Sequence, residues 1–451
     1  MMRATFLATT LAAAALFSAC NKETNFGGES SVPEGLPTYA SVTVSVNNPG
    51  TRAVSQTGEK EIQKVDILIF DKSGVLETYA KDITPESGTG NYTAKNIQTT
   101  TGEKTVYAVA NNLVSGIKQG MTLGAFEQLS YEAAKADGES YKVDVPIAKA
   151  SNFLMFGKTE ATLTEQDPGT PNKVSLTVTR AAAKSQLLFK NVEASESFQP
   201  ENVAVTFDEA STQLAQLQPT MYVVAPTQST GTVTPWDDNY TTQAANWIAA
   251  REKDFDADND GEDLATIYGY SHYLSENINA TPLMNTTTCM LVRVKATPTT
   301  WSDEGGTQQG STFYALVKFT TDQDAEQKYE TIDSYYGIYK DQATAQTVLD
   351  SGALSSDPEK DKYGIVTFTD GYCYYRLNLR DMTQATSAAR YSVLRNHFYK
   401  VTVTEINNLG WNNPGDLVDP EDKTPVETET SLEVTITVAD WTDVDMNEPL
   451  G

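Results

Sequence analysis

Two short segments near opposite ends of the chain alternate apolar and polar side chains without a break. In residues 39–46 (YASVTVSV), Ala40, Val42, Val44 and Val46 are apolar, while Tyr39, Ser41, Thr43 and Ser45 carry hydroxyls. Residues 431–438 (SLEVTITV) do the same: Leu432, Val434, Ile436 and Val438 are set against Ser431, Glu433, Thr435 and Thr437, and Trp441 follows. Side chains along a strand point to opposite faces in turn, so period two predicts a β-strand with one buried face in each place.

The same texture fills the chain between them. Strands are predicted over residues 62–71, 75–81, 91–98, 104–112, 154–157 and 173–180, and a second set over 186–192, 203–207, 221–225, 288–295, 312–320, 365–369, 372–379 and 398–405. Leu123, Phe126, Leu129 and Ala133 share one face at helical spacing, which predicts a helix over 122–136, ended by Asp137 and Gly138. Between Ala225 and Leu283 lies a polar insertion with Trp236, Trp247 and an acidic run, read as a loop with a short helix at 243–253. Residues 412–429, rich in Pro, Asp, Glu and Thr, predict an extended arm carrying the last strand away from the body. The fold is therefore mainly β, with short helices in insertions. At 451 residues it divides into two β-sandwich domains, over 53–182 and 183–451.

Composition narrows the function. A hydrophobic content of 39% with 15 Phe and 22 Tyr is enough to fill two cores. The net charge of −27, with no clustered Lys and Arg, excludes a nucleic-acid partner, whose phosphates need concentrated positive charge. Residues 1–20 read as an export signal: Arg3, an apolar run over 6–17, and FSAC at 17–20 placing small residues before Cys20. That layout is a lipobox with Cys20 as the acylated residue, although Phe17 departs from the usual Leu; a plain secretory signal with an incidental cysteine is the blander reading. A polar tether runs on to Pro37. Thr51, Arg52 and Ala53 then lie between the first strand and the folded body, where a trypsin-like cut at Arg52 would release residues 21–52 as a propeptide containing that strand. A removable strand at one end and a spare one at the other suggest subunits that complete each other's sheets.

Other candidate chemistry is sparse. Cys289 and Cys373 both sit in strand-like runs, so a disulfide between neighbouring strands and a pair of buried free thiols both fit. Asp256, Asp258 and Asp260, with Gly261, form the first half of a calcium loop; the position that should carry the bidentate carboxylate is Ile267, so a Ca2+ site and a solvated acidic loop both stay open. The two histidines, His272 and His397, have no nucleophile signature around them, and His397 reads as the start of a strand. No nucleophile elbow, phosphate loop or HExxH helix occurs, so the chain reads as a non-enzyme with no other cofactor.

An ordered set of segments resembles the fimbrillins of the Bacteroidales, the major subunits of their fimbriae, and is nearest the branch that builds the shorter fimbriae. The set comprises residues 17–20 with the tether, Thr51 to Ala53, 65–70, VYAVANN at 106–112, 174–180, MLVRVKATP at 290–298, RNHFYKVTV at 395–403, LGWN at 409–412 and VTITVADW at 434–441. The acidic insertion and the cysteine pair are not carried over. The resemblance implies two transthyretin-like Greek-key sandwiches, export as a lipoprotein to the outer membrane, and an arginine-specific surface protease cutting at Arg52. It also implies a groove left by Val42, Val44 and Val46 and filled by the C-terminal strand of an identical or related subunit in an extracellular polymer. Burying Leu432, Val434, Ile436 and Val438 at roughly 1.5–3 kcal/mol each gives on the order of 6–12 kcal/mol gross, opposed by ordering the arm and losing subunit freedom. The rival readings are a fimbrial tip or anchor subunit, and a monomeric lipid-anchored protein that presents its insertion to host or bacterial surface ligands.

Overall fold

The computed structural model of the chain describes residues 32–46, 58–88, 90–136, 143–149, 151–224, 248–249, 267–279, 281–321, 330–381, 384–418, 422–426, 437–440 and 448–450. Cys20, Arg52, Ala53, Asp256, Asp258, Asp260, Leu432, Val434, Ile436 and Trp441 lie outside them.

Alternating sequence becomes a sandwich in the first half. Its strands are β1 (Pro37–Val46), β2 (Val65–Phe70), β3 (Leu76–Ile83), β4 (Asn91–Thr100), β5 (Gly102–Ala110), β6 (Met155–Leu163) and β7 (Asn172–Arg180). They run in the order β3-β2-β5-β6-β7-β1-β4, extended by Glu86–Ser87 on β4. Strands β6 and β7 pair only at Met155 with Arg180 and Phe156 with Thr179, so the sheet folds there into two layers. Between them sits one apolar core, running from Ala40 to Ala182 and taking in Met221 and Val223.

The second half repeats the plan. It contains β8 (Ala183–Gln199), β9 (Val205–Ala215), β10 (Ile267–Leu274), β11 (Cys289–Pro298), β12 (Phe313–Thr321), β13 (Glu330–Tyr339), β14 (Tyr363–Phe368), β15 (Tyr372–Asn378) and β16 (His397–Asn408), then β17 (Thr437–Asp440) and β18 (Glu448–Leu450). One sheet has the order β10-β8-β16-β17, with β18 also on β16; a second has the order β9-β11-β15; a third is β13-β12-β14. Their shared core is separate from the first. In each half the opening strand lies parallel to the closing one: β1 on β7 and β8 on β16. Each also has an antiparallel neighbour on its other side, β4 for β1 and β10 for β8.

Three expectations are corrected. The predicted helix is helical only at α1 (Leu123–Glu127), capped by the Thr122 side chain. Beyond it Ser130–Glu132 is a strand, because Tyr131 pairs with Met221 and that tertiary ladder overrides local periodicity. Leu123, Phe126, Leu129 and Ala133 still pack on the first core. Inside the predicted helix 243–253, Ile248–Ala249 is a strand paired with Ser211 and Thr212 of β9. The arm is fastened through residue 426 rather than free: Met284 and Asn285 N–H groups donate to Thr424 and Asp422 carbonyls, and Val426 is buried with Met284 and Tyr391.

The disulfide is also corrected: Cys289 and Cys373 are free and buried. They lie on the paired strands β11 and β15, but Cys373 stands opposite Val294 and Cys289 opposite Asn378. That five-residue offset puts them about 17 Å apart along the strands, far beyond the ~7 Å a bridge allows. An odd offset also turns them to opposite faces: Cys373 enters the main second core, and Cys289 packs with Ala215 and Leu291. Burial pushes both thiols up in pKa, which suppresses the reactive thiolate.

Small residues carry the chain from one core to the next, with Ala181, Ala182 and Ala183 all fully buried. Charged groups flank them. Lys184 Nζ donates to Glu59 Oε1 at 2.9 Å, and the Tyr273 hydroxyl donates to the same oxygen at 2.7 Å. Arg180 Nε donates to the Glu59 carbonyl at 3.0 Å, and its Nη1 to Asn396 Oδ1 at 3.4 Å. Burial, then the Glu59 charge, hold the Tyr273 phenol well above its ordinary pKa, so it stays a donor. A second tie is Arg395, which holds the carbonyls of Tyr222 and Val223 and the Glu276 carboxylate.

Two outcomes follow for solution experiments. Lys184→Met takes from the buried Glu59 carboxylate the ammonium that donates to it, leaving Arg180 as a nearby positive charge, and urea unfolding should show a loss of up to about 3–5 kcal/mol; a change below about 1 kcal/mol would contradict the role given to this pair. In a Cys20→Ser chain, a thiol reagent should find no reactive thiol in the native state and both on denaturation, whereas thiols missing after denaturation without reductant would indicate a bridge.

Candidate functional site

Strand β1 is the first of the two alternating segments that the sequence singles out, and its sequence explains why it is held so closely. Ala40, Val42 and Val44 point inward and are fully buried, as the alternation predicts, while Val46 at the strand's end is half-buried. On one side β1 runs parallel to β7 in unbroken register, Val42 opposite Val174, Val44 opposite Leu176 and Val46 opposite Val178. On the other it is antiparallel to β4, with Val42 opposite Ala94 and Val44 opposite Tyr92. The register shifts once there, between Ala40 and Val42. Asn96 sits at that bulge with φ of 58°, a conformation Asn tolerates better than most residues.

Hydroxyls on the outward face add cross-strand contacts. Thr43 Oγ1 lies 3.2 Å from Thr93 Oγ1, and Ser45 Oγ 3.1 Å from Thr177 Oγ1. At the start of the strand the inward position is Thr38, buried and polar. Its hydroxyl donates to the Thr164 carbonyl at 2.7 Å and accepts from Gln166 N–H and Asn172 Nδ2, each at 3.0 Å. Sequence reading singled out the apolar positions and missed this one. The visible signal was that Thr38 continues the inward parity of Ala40, Val42 and Val44.

What lies at the two ends of β1 differs. Pro33 and Leu36 are held by Thr101, whose N–H donates to the Leu36 carbonyl at 2.8 Å. Past Val46 the next described residue is Gly58, so the link containing Arg52 and Ala53 spans 47–57. Glu59 then enters the buried cluster at the junction. That cluster was also missed, because a Glu among the lysines of GEKEIQK reads as surface charge.

The described part of the C-terminal strand rests on the chain's own second half. Val438 stands opposite Tyr399, and residues 437–440 lie antiparallel to the start of β16. Residues 448–450 lie parallel to its later part. His397 opens β16, as the sequence suggested, and its Nδ1 lies 2.9 Å from the Arg395 carbonyl. His272 is buried with Nε2 2.8 Å from Thr212 Oγ1, and burial lowers its pKa to about 3, so it is neutral near pH 7. Among the described residues no group of His, Cys, Asp and Glu is arranged to hold a metal ion.

Comparison with known proteins bears on the family of the chain. Residues 40–207 match the family model described as major fimbrial subunit protein (FimA), and residues 366–447 match that of major fimbrial subunit protein type IV, fimbrillin, C-terminal. The minor fimbrium subunit Mfa1 of Porphyromonas gingivalis is 22% identical over 456 residues, covering 90% of this chain and 86% of Mfa1. Among solved structures, a fimbrilin from P. gingivalis aligns with a TM-score of 0.47 at 16% identity, covering 91% of this chain and 99% of that one. The tip fimbrial protein Mfa3 of P. gingivalis aligns with a TM-score of 0.37 at 12% identity, covering 90% and 100%. The family is one of structural subunits rather than enzymes. The chain belongs to the fimbrillins, the fimbrial subunits of the Bacteroidales.

Proposed function

We propose that this chain is a stalk subunit whose β1 is a temporary plug, removed by cleavage after Arg52 and replaced by residues 432–438 of a neighbouring copy. The observation that carries the reading is the position of β1: paired along both edges, yet joined to the rest only through 47–57. On this reading Cys20 carries the lipid that brings the precursor to the outer membrane, an arginine-specific surface protease makes the cut, and the polymer supports adhesion to host or bacterial surfaces.

The exchange has a direction. Leu432 carries an isopropyl group more than Ala40, and Ile436 a methyl more than Val44, so the incoming strand offers four further carbons to the core. At roughly 0.8 kcal/mol per methylene this is about 3 kcal/mol gross in its favour. Backbone hydrogen bonds to β4 and β7 are similar for either occupant. An emptied groove would be an aggregation hazard, which favours keeping β1 in place until cleavage at the surface.

The groove walls must also outlast the exchange. Glu77 on β3 accepts from Thr99 Oγ1 at 2.6 Å, Thr100 Oγ1 at 2.9 Å and Lys104 Nζ at 2.8 Å, tying the end of β4 to the opposite layer. Burial by itself would raise the Glu77 pKa, but the donors from Lys104, Thr99 and Thr100 outweigh it and hold it below the ordinary 4.5. A lowered carboxylate pKa stabilises the fold above the ordinary value and loses that contribution as pH falls through the native one.

One observation favours a second reading. Residues 437–440 already pair with the chain's own β16, as a self-sufficient surface monomer or a tip subunit would require. On the stalk reading, this edge is where the precursor keeps its donor strand before assembly.

Three measurements separate these. Mass spectrometry of the surface-exposed protein should find Ala53 at its N-terminus; an acylated Cys20 there would sink the stalk assignment. Ile436→Asp should abolish the SDS-resistant ladder while circular dichroism of the monomer stays unchanged, and an unaltered ladder would count against strand insertion. Glu77→Gln should lower the melting temperature at pH 7 and flatten its fall below about pH 4.5; an acid profile parallel to the wild type would remove Glu77 from this role.

A further inference from the structure

Apolar alternation alone does not fix where a strand sits along its groove, since a slip of two residues keeps every inward side chain inward. Something else must choose among registers two residues apart. In the precursor the Thr38 seat does this for β1: a near acceptor, the Thr164 carbonyl, a more distant one, the Gln166 carbonyl at 3.4 Å, and two donors, Gln166 N–H and Asn172 Nδ2, converge on a single buried hydroxyl. Asn172 is itself fixed by accepting from Thr164 N–H at 3.0 Å, so the seat belongs to the loop and β7 rather than to β1. It therefore stays when β1 leaves: Asn172 and Gln166 are half-buried, Asn172 Nδ2 still donates to the Thr164 carbonyl at 2.9 Å, and the donors and acceptor remain placed for one hydroxyl, which an apolar side chain at that position cannot supply.

Resting on the strand-exchange reading, we infer that this seat takes the Thr430 hydroxyl of the incoming chain and so sets the register of the polymer. Thr430 stands two residues before Leu432, as Thr38 stands two before Ala40. Placing Thr430 in the seat puts Leu432, Val434, Ile436 and Val438 at the positions of Ala40, Val42, Val44 and Val46, running in the same direction along β7. The neighbouring frames each fail. With Thr428 in the seat, the hydroxyl of Thr430 falls into the fully buried Ala40 position. With Leu432 in the seat, no hydroxyl meets it and Asp440 lands at the position of Val46. Only one frame satisfies both the polar seat and the apolar core.

The register can be read directly. Ser45 lies beside Thr177 in the precursor, and its counterpart in the inferred frame is Thr437. A full-length Thr177→Cys, Thr437→Cys chain, cleaved at Arg52 and allowed to polymerise, should give subunits joined by disulfides; Cys289 and Cys373, both buried, do not compete. Thr177→Cys combined with Thr435→Cys, or with Ala439→Cys, should give few. Adding Thr430→Val to each pair should slow ladder growth about two- to tenfold, the cost of one unmade hydrogen bond, and shift cross-linking toward the Thr435→Cys pair, the frame in which Thr428 fills the seat. Thr430→Ser should restore both rate and register. Polymer that cross-links at 435 or 439 without Thr430→Val, or a rate and register indifferent to that change, would overturn the seat while leaving strand exchange standing. Absence of any polymer from the cleaved wild type would overturn the exchange reading and the seat with it.

Discussion

The structure depends on the double pairing of β1. An inner strand satisfies the facing row of backbone groups on each of its two neighbours as well as its own, so it cannot leave without exposing β4 and β7 to water or to another chain. The same strand is inward-apolar at Ala40, Val42 and Val44, so its loss would also open the first core. Pairing on both edges, with a single covalent link through 47–57, makes the strand at once indispensable to the sandwich and separable from the chain.

The second half shows what fixes such a strand for good. There β8 occupies the equivalent place, parallel to the closing strand and antiparallel to another, but it continues directly from β7 through three buried alanines. Lys184 near its start is bound to Glu59, the residue that follows the link. A cut within 47–57 would sever the covalent link of β1 to the body while leaving Glu59 anchored at the junction of the two cores. The asymmetry between the halves lies in connectivity, not in sheet geometry.

Much of this was legible in the sequence because period-two alternation is a direct image of burial. Residues 39–46 and 173–180 alternate cleanly and form β1 and β7 nearly as read, while Met221 and Val223 join the first core and Ala134 the second from across the chain. The failures share a cause: non-local pairing that leaves no local trace. Tyr131 joins a ladder to Met221 and cuts the predicted helix short, Val426 tucks under Met284, and the two thiols are kept apart by a register that only the β11–β15 ladder reveals. Polar sites were hardest to see. Thr38 and Glu59 are ordinary surface residue types, and their roles come from carbonyls and cations supplied more than a hundred positions away.

In the polymer, a strand from another molecule would occupy the place β1 holds in the precursor. Hydrogen–deuterium exchange on the assembled polymer reads this most directly. Amides of residues 91–100 and 172–180 should exchange slowly although residues 39–46 are gone, and residues 430–438 should be protected only in the polymer and not in the cleaved Ile436→Asp monomer. Polymer in which residues 39–46 persist and remain protected, while 430–438 exchange as freely as in the monomer, would contradict strand exchange.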